Sequence, residues 1–80
     1  MKDDTNSNDV GSVMAALELL NLIADSPDIG LSEIARRINV NKSRCYRLLT
    51  TLNKAGYVEQ DENTKAYRLG YQAAKIGQQS

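Results

Sequence analysis

Between residues 42 and 47 the chain concentrates hydrogen-bond donors that suit nucleic acid. Ser43, Arg44 and Arg47 fall within five positions. An arginine guanidinium can bind guanine O6 and N7, or a phosphate, with two parallel hydrogen bonds, and a serine hydroxyl can contact either group. Lys42 and the amino end of a helix starting here suit a backbone phosphate. The segment therefore indicates contact with both bases and backbone.

The residues that most catalytic and metal sites require are missing. The 80 residues include no His and a single cysteine, Cys45. Without His the commonest general base and metal ligand is absent, and one cysteine makes neither an internal disulfide nor a zinc site. A chain of this length also has little room for a deep pocket. We therefore predict that the chain is not an enzyme, and no pattern in it predicts a cofactor.

A net charge of zero conceals a separation of charge along the chain. Residues 1–30 carry one lysine and six acids, whereas residues 31–57 carry six basic residues and one acid. Residues 58–80 carry three of each sign. A basic segment within a neutral chain is expected where one face meets phosphates, although it can also be an ordinary solvated face.

The amino-terminal segment gives no sign of export. Residues 1–11 are polar, lack hydrophobic periodicity and end at Gly11, so we expect a flexible leader rather than a signal peptide. No apolar run approaches the roughly 18 to 20 residues that cross a bilayer. The sequence predicts a cytoplasmic protein.

The first predicted helix runs from Ser12, a good N-cap, to Asp25. Its main apolar stripe has three- and four-residue spacing and comprises Val13, Ala16, Leu17, Leu20, Ile23 and Ala24. Met14, Leu19 and Leu22 lie outside that stripe. Such an apolar surplus fits either extra core or a surface for a partner.

Two further helices are predicted on either side of a three-residue turn. LSEIARRI, residues 31–38, has one apolar face, and residues 39–41 interrupt it. Asn41 can cap a third helix over residues 42–55, and Gly56 stands where a C-cap glycine belongs. Two helices in this arrangement, the second basic on its outer side, form a helix-turn-helix.

The third helix divides into an apolar and a polar side. The apolar stripe comprises Cys45, Leu48, Leu49 and Leu52. The opposite side carries Ser43, Arg47, Thr50 and Lys54, with Tyr46 on one flank and Arg44 and Thr51 on the other. Because Cys45 lies on the apolar stripe, we expect a buried structural thiol rather than a redox switch. Tyr46 fits either a DNA contact or a half-buried position beside the core.

A β-hairpin is predicted over residues 57–69, with YVEQ and AYRL as its strands and residues 61–65 as its connection. Val58 should share a face with Tyr67 and Leu69. Ile29 fits a very short edge strand, and residues 70–80 should begin another helix. The predicted fold is mainly α with a small β-hairpin, a winged helix-turn-helix whose third helix enters the major groove of DNA.

Three stretches carry a family resemblance. They are LSEIA, the block KS followed by YRLLTTLNKAGYVE, and the hairpin ending YRLG. In this order and spacing, between about Val13 and Gly70, they resemble the N-terminal domain of the IclR family of bacterial transcription regulators.

The resemblance implies a domain that binds double-stranded operator DNA as a homodimer. It also implies a separate C-terminal domain that binds a small-molecule effector, with residues 70–80 starting the linker to it. Its recognition helix would hold Lys42, Ser43, Arg44 and Arg47, and its wing tip Lys65. In the family the first helix helps to pair subunits, which favours Leu19 and Leu22 as dimerisation residues.

The sequence departs from the family pattern inside the proposed interface. Asn41 stands where proline is common, and Arg44 where threonine is common. Because Arg44 adds charge where bases are read, the operator need not be that of a relative. A glycine is usual at Lys65, so we expect Asn63 to supply the left-handed turn instead.

The combined prediction is a DNA-binding set on the third helix and the wing: Lys42, Ser43, Arg44, Tyr46, Arg47, Thr51 and Lys65. The alternative is a winged helix used only for protein association. Such a module would carry apolar residues on the outer face of the third helix, where this sequence has polar ones.

Overall fold

Four helices and one antiparallel hairpin make up residues 7–79, the part of the chain that the computed structural model describes. The elements are α1 (Ser7–Asp25), α2 (Leu31–Ile38), α3 (Lys42–Lys54), β1 (Val58–Gln60), β2 (Tyr67–Leu69) and α4 (Tyr71–Gly77). This order confirms the predicted mainly α fold with a small hairpin. Residues 1–6 of the predicted leader lie outside the described residues.

Helix α1 starts earlier than the sequence predicts. It begins at Ser7 instead of near Ser12, so residues 7–11 are helical and do not belong to a leader. Adding a residue to a helix that is already packed costs less free energy than nucleating a new helix. Helix α1 therefore extends into residues 7–11, which lack hydrophobic periodicity. Within residues 7–79, no helix is both long and apolar enough to cross a membrane.

The face that α1 buries also differs from the predicted stripe. Leu19 and Ile23 are almost fully buried, whereas Val13 and Leu17 are exposed by 60% and 51%. Leu19 is therefore a core residue, and its assignment to a dimer surface was wrong. Leu22 is half-buried and packs against the same core. Because α1 is apolar on more than one side, its periodicity does not identify the face that meets α2 and the hairpin.

The turn between α2 and α3 matches its prediction. Asn39 adopts the left-handed conformation, with φ at 61°, and closes α2. The Val40 N–H donates to the Ala35 carbonyl at 3.0 Å, which satisfies a carbonyl at the helix end. The Asn41 side chain accepts from the Arg44 N–H at 2.8 Å and so caps α3. Helix α3 ends at Lys54, one residue before the predicted end.

The core lies where α1, α2, α3 and the hairpin meet. Its buried members are Leu19, Ile23, Ile29, Ile34, Ala35, Cys45, Leu49, Val58 and Tyr67. Cys45 has no exposed surface, and burial raises the pKa of its thiol, as a structural cysteine requires. The core holds the inner side of α3 and leaves its outer side free.

The hairpin has the expected pairing and gains a third segment. Val58 pairs with Leu69, and Gln60 pairs with Tyr67. Ile29 forms a single β-bridge to Tyr67, which confirms the predicted edge strand. Tyr67 is buried as expected, whereas Leu69 remains 37% exposed. The bridge ties the loop between α1 and α2 to the end of β2 that adjoins the wing turn.

Helix α4 is attached to the end of α3 by backbone hydrogen bonds. The Gly70 N–H donates to the Tyr57 carbonyl, and the Gln72 N–H donates to the Gly56 carbonyl, both at 2.9 Å. A Cβ atom at Gly70 would lie 2.5 Å from the Gly56 oxygen, far inside van der Waals contact. Gly56 itself has φ at 87°, a conformation that favours glycine. The close approach thus requires glycine at residue 70, and the positive φ favours glycine at residue 56.

Candidate nucleic-acid interface

The outer side of α3 is an accessible polar surface. The Asn41 side chain caps the Arg44 N–H, while Lys42 and Ser43 at the amino end of α3 are exposed, and the helix dipole there favours an anion. Lys42, Ser43 and Arg47 are exposed, and Arg44 is half-buried. The structure thus brings together on one surface most of the donors that the sequence singled out.

The flanks of α3 carry the other two residues predicted on this helix. Tyr46 is 55% exposed, which favours its interpretation as a contact residue over a core position. Thr51 is exposed as well. Thr50, which the sequence placed on the polar side, is half-buried because it lies in a groove beside the wing.

The cations of α3 are not neutralised by nearby acids. Among the described residues, no ion pair involves Lys42, Arg44, Arg47 or Lys54. An unpaired guanidinium keeps its donors for a ligand and loses no partner on binding. These four side chains therefore give α3 a positive face that is open to an anion.

Helix α2 shows the opposite arrangement. Arg36 and Arg37 both donate to the Glu33 carboxylate, the latter at 2.7 Å. The hydrogen bonds from Arg37 and then Arg36 hold the pKa of Glu33 below its usual range. Two of the six cations in the basic segment are thus already engaged within their own helix.

The wing is more acidic and more self-contained than α3. Arg68 faces three carboxylates, those of Asp28, Glu59 and Asp61, at 3.7 to 3.8 Å. Lys65 is exposed at the turn, and among the described residues it has no ion pair. The predicted wing contact is therefore accessible, while the other wing cation is occupied.

The conformation of the wing turn corrects one expectation. Lys65 itself, with φ at 67°, adopts the left-handed conformation that was expected of Asn63. The Asp61 carboxylate accepts the N–H groups of Asn63 and Thr64 at 2.8 and 2.9 Å, with the Thr64 bond contributing most to a lowered Asp61 pKa. Because this cap holds the N–H groups of Asn63 and Thr64, the left-handed conformation falls at Lys65, two positions after Asn63.

A groove separates α3 from the wing. Its lining comprises Tyr46, Leu49, Thr50, Asn53, Gln60, Glu62 and Tyr67. The Asn53 side-chain amide donates to the Val58 carbonyl at 2.9 Å and so joins α3 to the hairpin. No pattern in the sequence singles out Glu62 as a residue of this groove, because residues 58–80 carry three charges of each sign. The signal that would have identified it was its place at the tip of a hairpin that follows α3.

The arrangement has the elements of a DNA-binding winged helix: a capped basic helix, an open outer face and an adjoining hairpin. Residues 12–62 match the model of the IclR helix-turn-helix domain. The chain belongs to the IclR family. It is an IclR-type helix-turn-helix DNA-binding domain of transcriptional regulators, and not an enzyme.

Individual IclR-type proteins support this assignment. The regulator BhcR of Paracoccus denitrificans is 38% identical over 74 residues, which cover 89% of this chain and 26% of that protein. The regulator KdgR of Escherichia coli K12 is 30% identical over 74 residues, or 92% of this chain and 28% of that protein. The chain thus spans about a quarter of the length of these curated relatives.

The fold agrees with that of a solved family member. The crystal structure of an IclR transcriptional regulator from Alicyclobacillus acidocaldarius superposes with a TM-score of 0.78 at 34% identity. The match covers 85% of this chain and 28% of the other. The winged helix-turn-helix predicted from the sequence is therefore confirmed.

Proposed function

We propose that α3 enters the major groove of double-stranded operator DNA and that the hairpin over residues 57–69 lies beside it as the wing. The observation that carries the proposal is the polar surface of α3, where Lys42, Arg47 and Lys54 are exposed, Arg44 is half-buried, and none of the four has an acidic partner among the described residues. The major groove is about 12 Å wide and admits a helix with its side chains. An association module would instead expose apolar residues on this face.

Each polar residue of the interface has a role that follows from its position. Arg44 and Arg47 contact guanine edges or phosphates, and Ser43 contacts either. Lys42 and the amino end of α3 hold a backbone phosphate. The remaining contacts, to sugar or phosphate at the margins of the interface, come from Tyr46, Thr51 and Lys65.

The domain acts as a homodimer in the full-length protein, with α1 as one contact between subunits. Val13, Met14 and Leu17 are all more than half exposed, a cluster of apolar side chains on one helix. These residues replace Leu19 as the candidate surface, and Leu22 contributes only through its exposed part. Two subunits would read a palindromic site with half-sites one helical turn apart.

The full-length protein is a cytoplasmic regulator that responds to a small molecule. A chain about a quarter as long as its relatives leaves room for a separate effector-binding domain in the complete protein. Such a domain would change the affinity for operator DNA through differential binding of the effector to two states.

Selection from a random duplex pool tests the proposed DNA contact. The domain is fused to a dimerising segment, and the enriched duplex is then titrated at several salt concentrations. We expect a palindromic motif and a steep salt dependence, because the four cations of α3 and Lys65 have no ion pair among the described residues and can reach phosphates. If no sequence is enriched and Arg47→Ala changes nothing, the association module replaces this proposal.

The dimer surface is tested by counting chains on the selected duplex. Sedimentation of the unfused domain with that duplex should give two chains per palindrome. Leu17→Glu should reduce the second binding step while leaving a single half-site duplex bound as before. Unchanged two-chain binding by Leu17→Glu would contradict a role of α1 in pairing.

A further inference from the structure

One carboxylate of the wing, that of Glu62, has no bonding partner among the described residues. Glu59 and Asp61 both lie near the Arg68 guanidinium, and Asp61 also caps the wing turn. Glu62 is exposed, and among the described residues it has neither an ion pair nor a side-chain hydrogen bond. Within residues 7–79, its negative charge is therefore not compensated by an ion pair.

Glu62 also occupies a particular position relative to α3. It lines the groove between α3 and the wing, opposite Tyr46 and Thr50. Asn53 lines the same groove; one N–H of its amide donates to the Val58 carbonyl, and its amide oxygen is an acceptor. Glu62 is the one charged side chain among the described residues that line this groove, in contrast to the cations on the neighbouring surface of α3.

Such a groove distinguishes between the parts of a DNA duplex. A carboxylate that approaches a phosphate is repelled, and any contact that dehydrates it without a donor destabilises the complex. An exocyclic amino group of a base is a donor, and cytosine N4 is the partner that a glutamate accepts from in the major groove. The same side chain is therefore unfavourable on most sequences and favourable on a few.

We propose that Glu62 is a specificity-determining residue: it weakens binding to duplex DNA of arbitrary sequence and accepts a hydrogen bond from a base amino group in the operator. This inference rests on the proposed docking of α3 and the wing. It adds a repulsive element to an interface whose other assigned residues are attractive or neutral, and discrimination often depends on such an element.

Glu62→Gln tests the proposal, because it removes the charge and keeps the shape. The variant is titrated with the duplex selected by the wild type and with a scrambled duplex of equal length and composition. We expect affinity for the scrambled duplex to rise about threefold to tenfold, while affinity for the selected duplex stays the same or falls. The ratio of the two affinities should therefore fall by about threefold or more.

Glu18→Gln is the matched control. It makes the same change in net charge on α1, in a pocket formed with Leu22, Arg37 and Ile38 and away from the groove beside the wing. It should leave the affinity ratio unchanged. A thermal melt of both variants checks that the fold is retained, which is expected because both residues are exposed.

The outcomes separate this inference from the proposed function. If the wild type enriches a sequence but Glu62→Gln raises both affinities equally, Glu62 contributes general repulsion only, and the inference is overturned. An unchanged ratio with unchanged affinities overturns it as well. If the wild type enriches no sequence at all, the proposed docking is wrong, and this inference, which depends on it, is overturned as well. A repeat selection with Glu62→Gln should lose its preference at one base position of each half-site.

Discussion

Helices α2 and α3 each carry two arginines, and the two pairs are in opposite states. In α2, Arg36 and Arg37 share the Glu33 carboxylate one turn away. In α3, Arg44 and Arg47 have no acidic partner among the described residues. The two helices are neighbours in the chain, but only one presents arginines that are ready to bind an anion.

This difference shows that a count of charges overstates the cationic surface. The basic segment over residues 31–57 has six cations and one acid, yet that one acid engages two of the cations. An exposed ion pair adds little to the stability of a fold, because solvent screens it. Glu33 therefore matters mainly because it neutralises positive charge on α2, and it contributes little to the stability of the fold.

The largest expected effect comes from removing an arginine of α3. Arg47→Ala should abolish specific binding, because a bidentate arginine contact provides about 1 to 3 kcal/mol of discrimination between bases. Lys54→Ala should weaken all sequences slightly, since Lys54 lies about three turns along α3 and reaches at most a flanking phosphate. Titration of the selected and scrambled duplexes with both variants measures the difference.

Arg36→Ala provides the counterpart on α2 and should leave specific binding nearly unchanged. Equal losses from Arg47→Ala and Lys54→Ala would contradict the assigned roles. A loss from Arg36→Ala as large as that from Arg47→Ala would remove the distinction between the two helices.

A smaller effect is expected when α2 is made to resemble α3. Glu33→Gln removes the charge that holds Arg36 and Arg37 and frees both for phosphate. Since the first helix of a helix-turn-helix crosses the DNA backbone, affinity for scrambled duplex should rise about threefold. The logarithmic salt slope should become steeper, and the preference between sequences should stay the same. An unchanged salt slope would show that α2 does not approach the backbone.

The smallest effect is a change with pH at Glu33. Its pKa is lowered in the folded state, so the stabilisation it provides is complete above the ordinary glutamate pKa of about 4.3 and is lost as the pH falls through the lower folded value. Carbon NMR of the Glu33 carboxyl group during an acid titration measures this midpoint. In the double variant Arg36→Ala, Arg37→Ala the midpoint should return to the ordinary value. A normal midpoint in the wild type would mean that the two arginines do not engage Glu33 in solution.

The sequence was sufficient to predict α2, α3 and the hairpin because local signals agree there. Asn41 and Gly56 mark the ends of α3, and Cys45 and Leu49 lie on an apolar stripe that can face only one way. The polar face opposite that stripe follows from helix geometry alone. Most of the DNA-binding set was therefore accessible to sequence reasoning, and its contacts remain predictions.

The orientation of α1 and the state of the wing were not predictable in this way. The apolar residues of α1 cover more than one side of the helix. Leu19 is therefore buried although periodicity placed it outside the main stripe, and Leu17 is exposed although periodicity placed it on that stripe. Arg68 is engaged partly by Asp28, which lies forty positions earlier in the chain. Contacts of this kind depend on tertiary packing, and residue spacing within one element carries no information about them.

The close approach of Gly70 to Gly56 joins the start of α4 to the segment that directly follows α3. Two backbone hydrogen bonds hold the start of α4 against residues 56 and 57, which directly follow α3, and the Gln72 side chain lies beside Gly56. We expect a displacement of α4 to reach the carboxyl end of α3 through these two hydrogen bonds. Gly70→Ala would wedge this joint open by inserting an atom only 2.5 Å from the Gly56 oxygen.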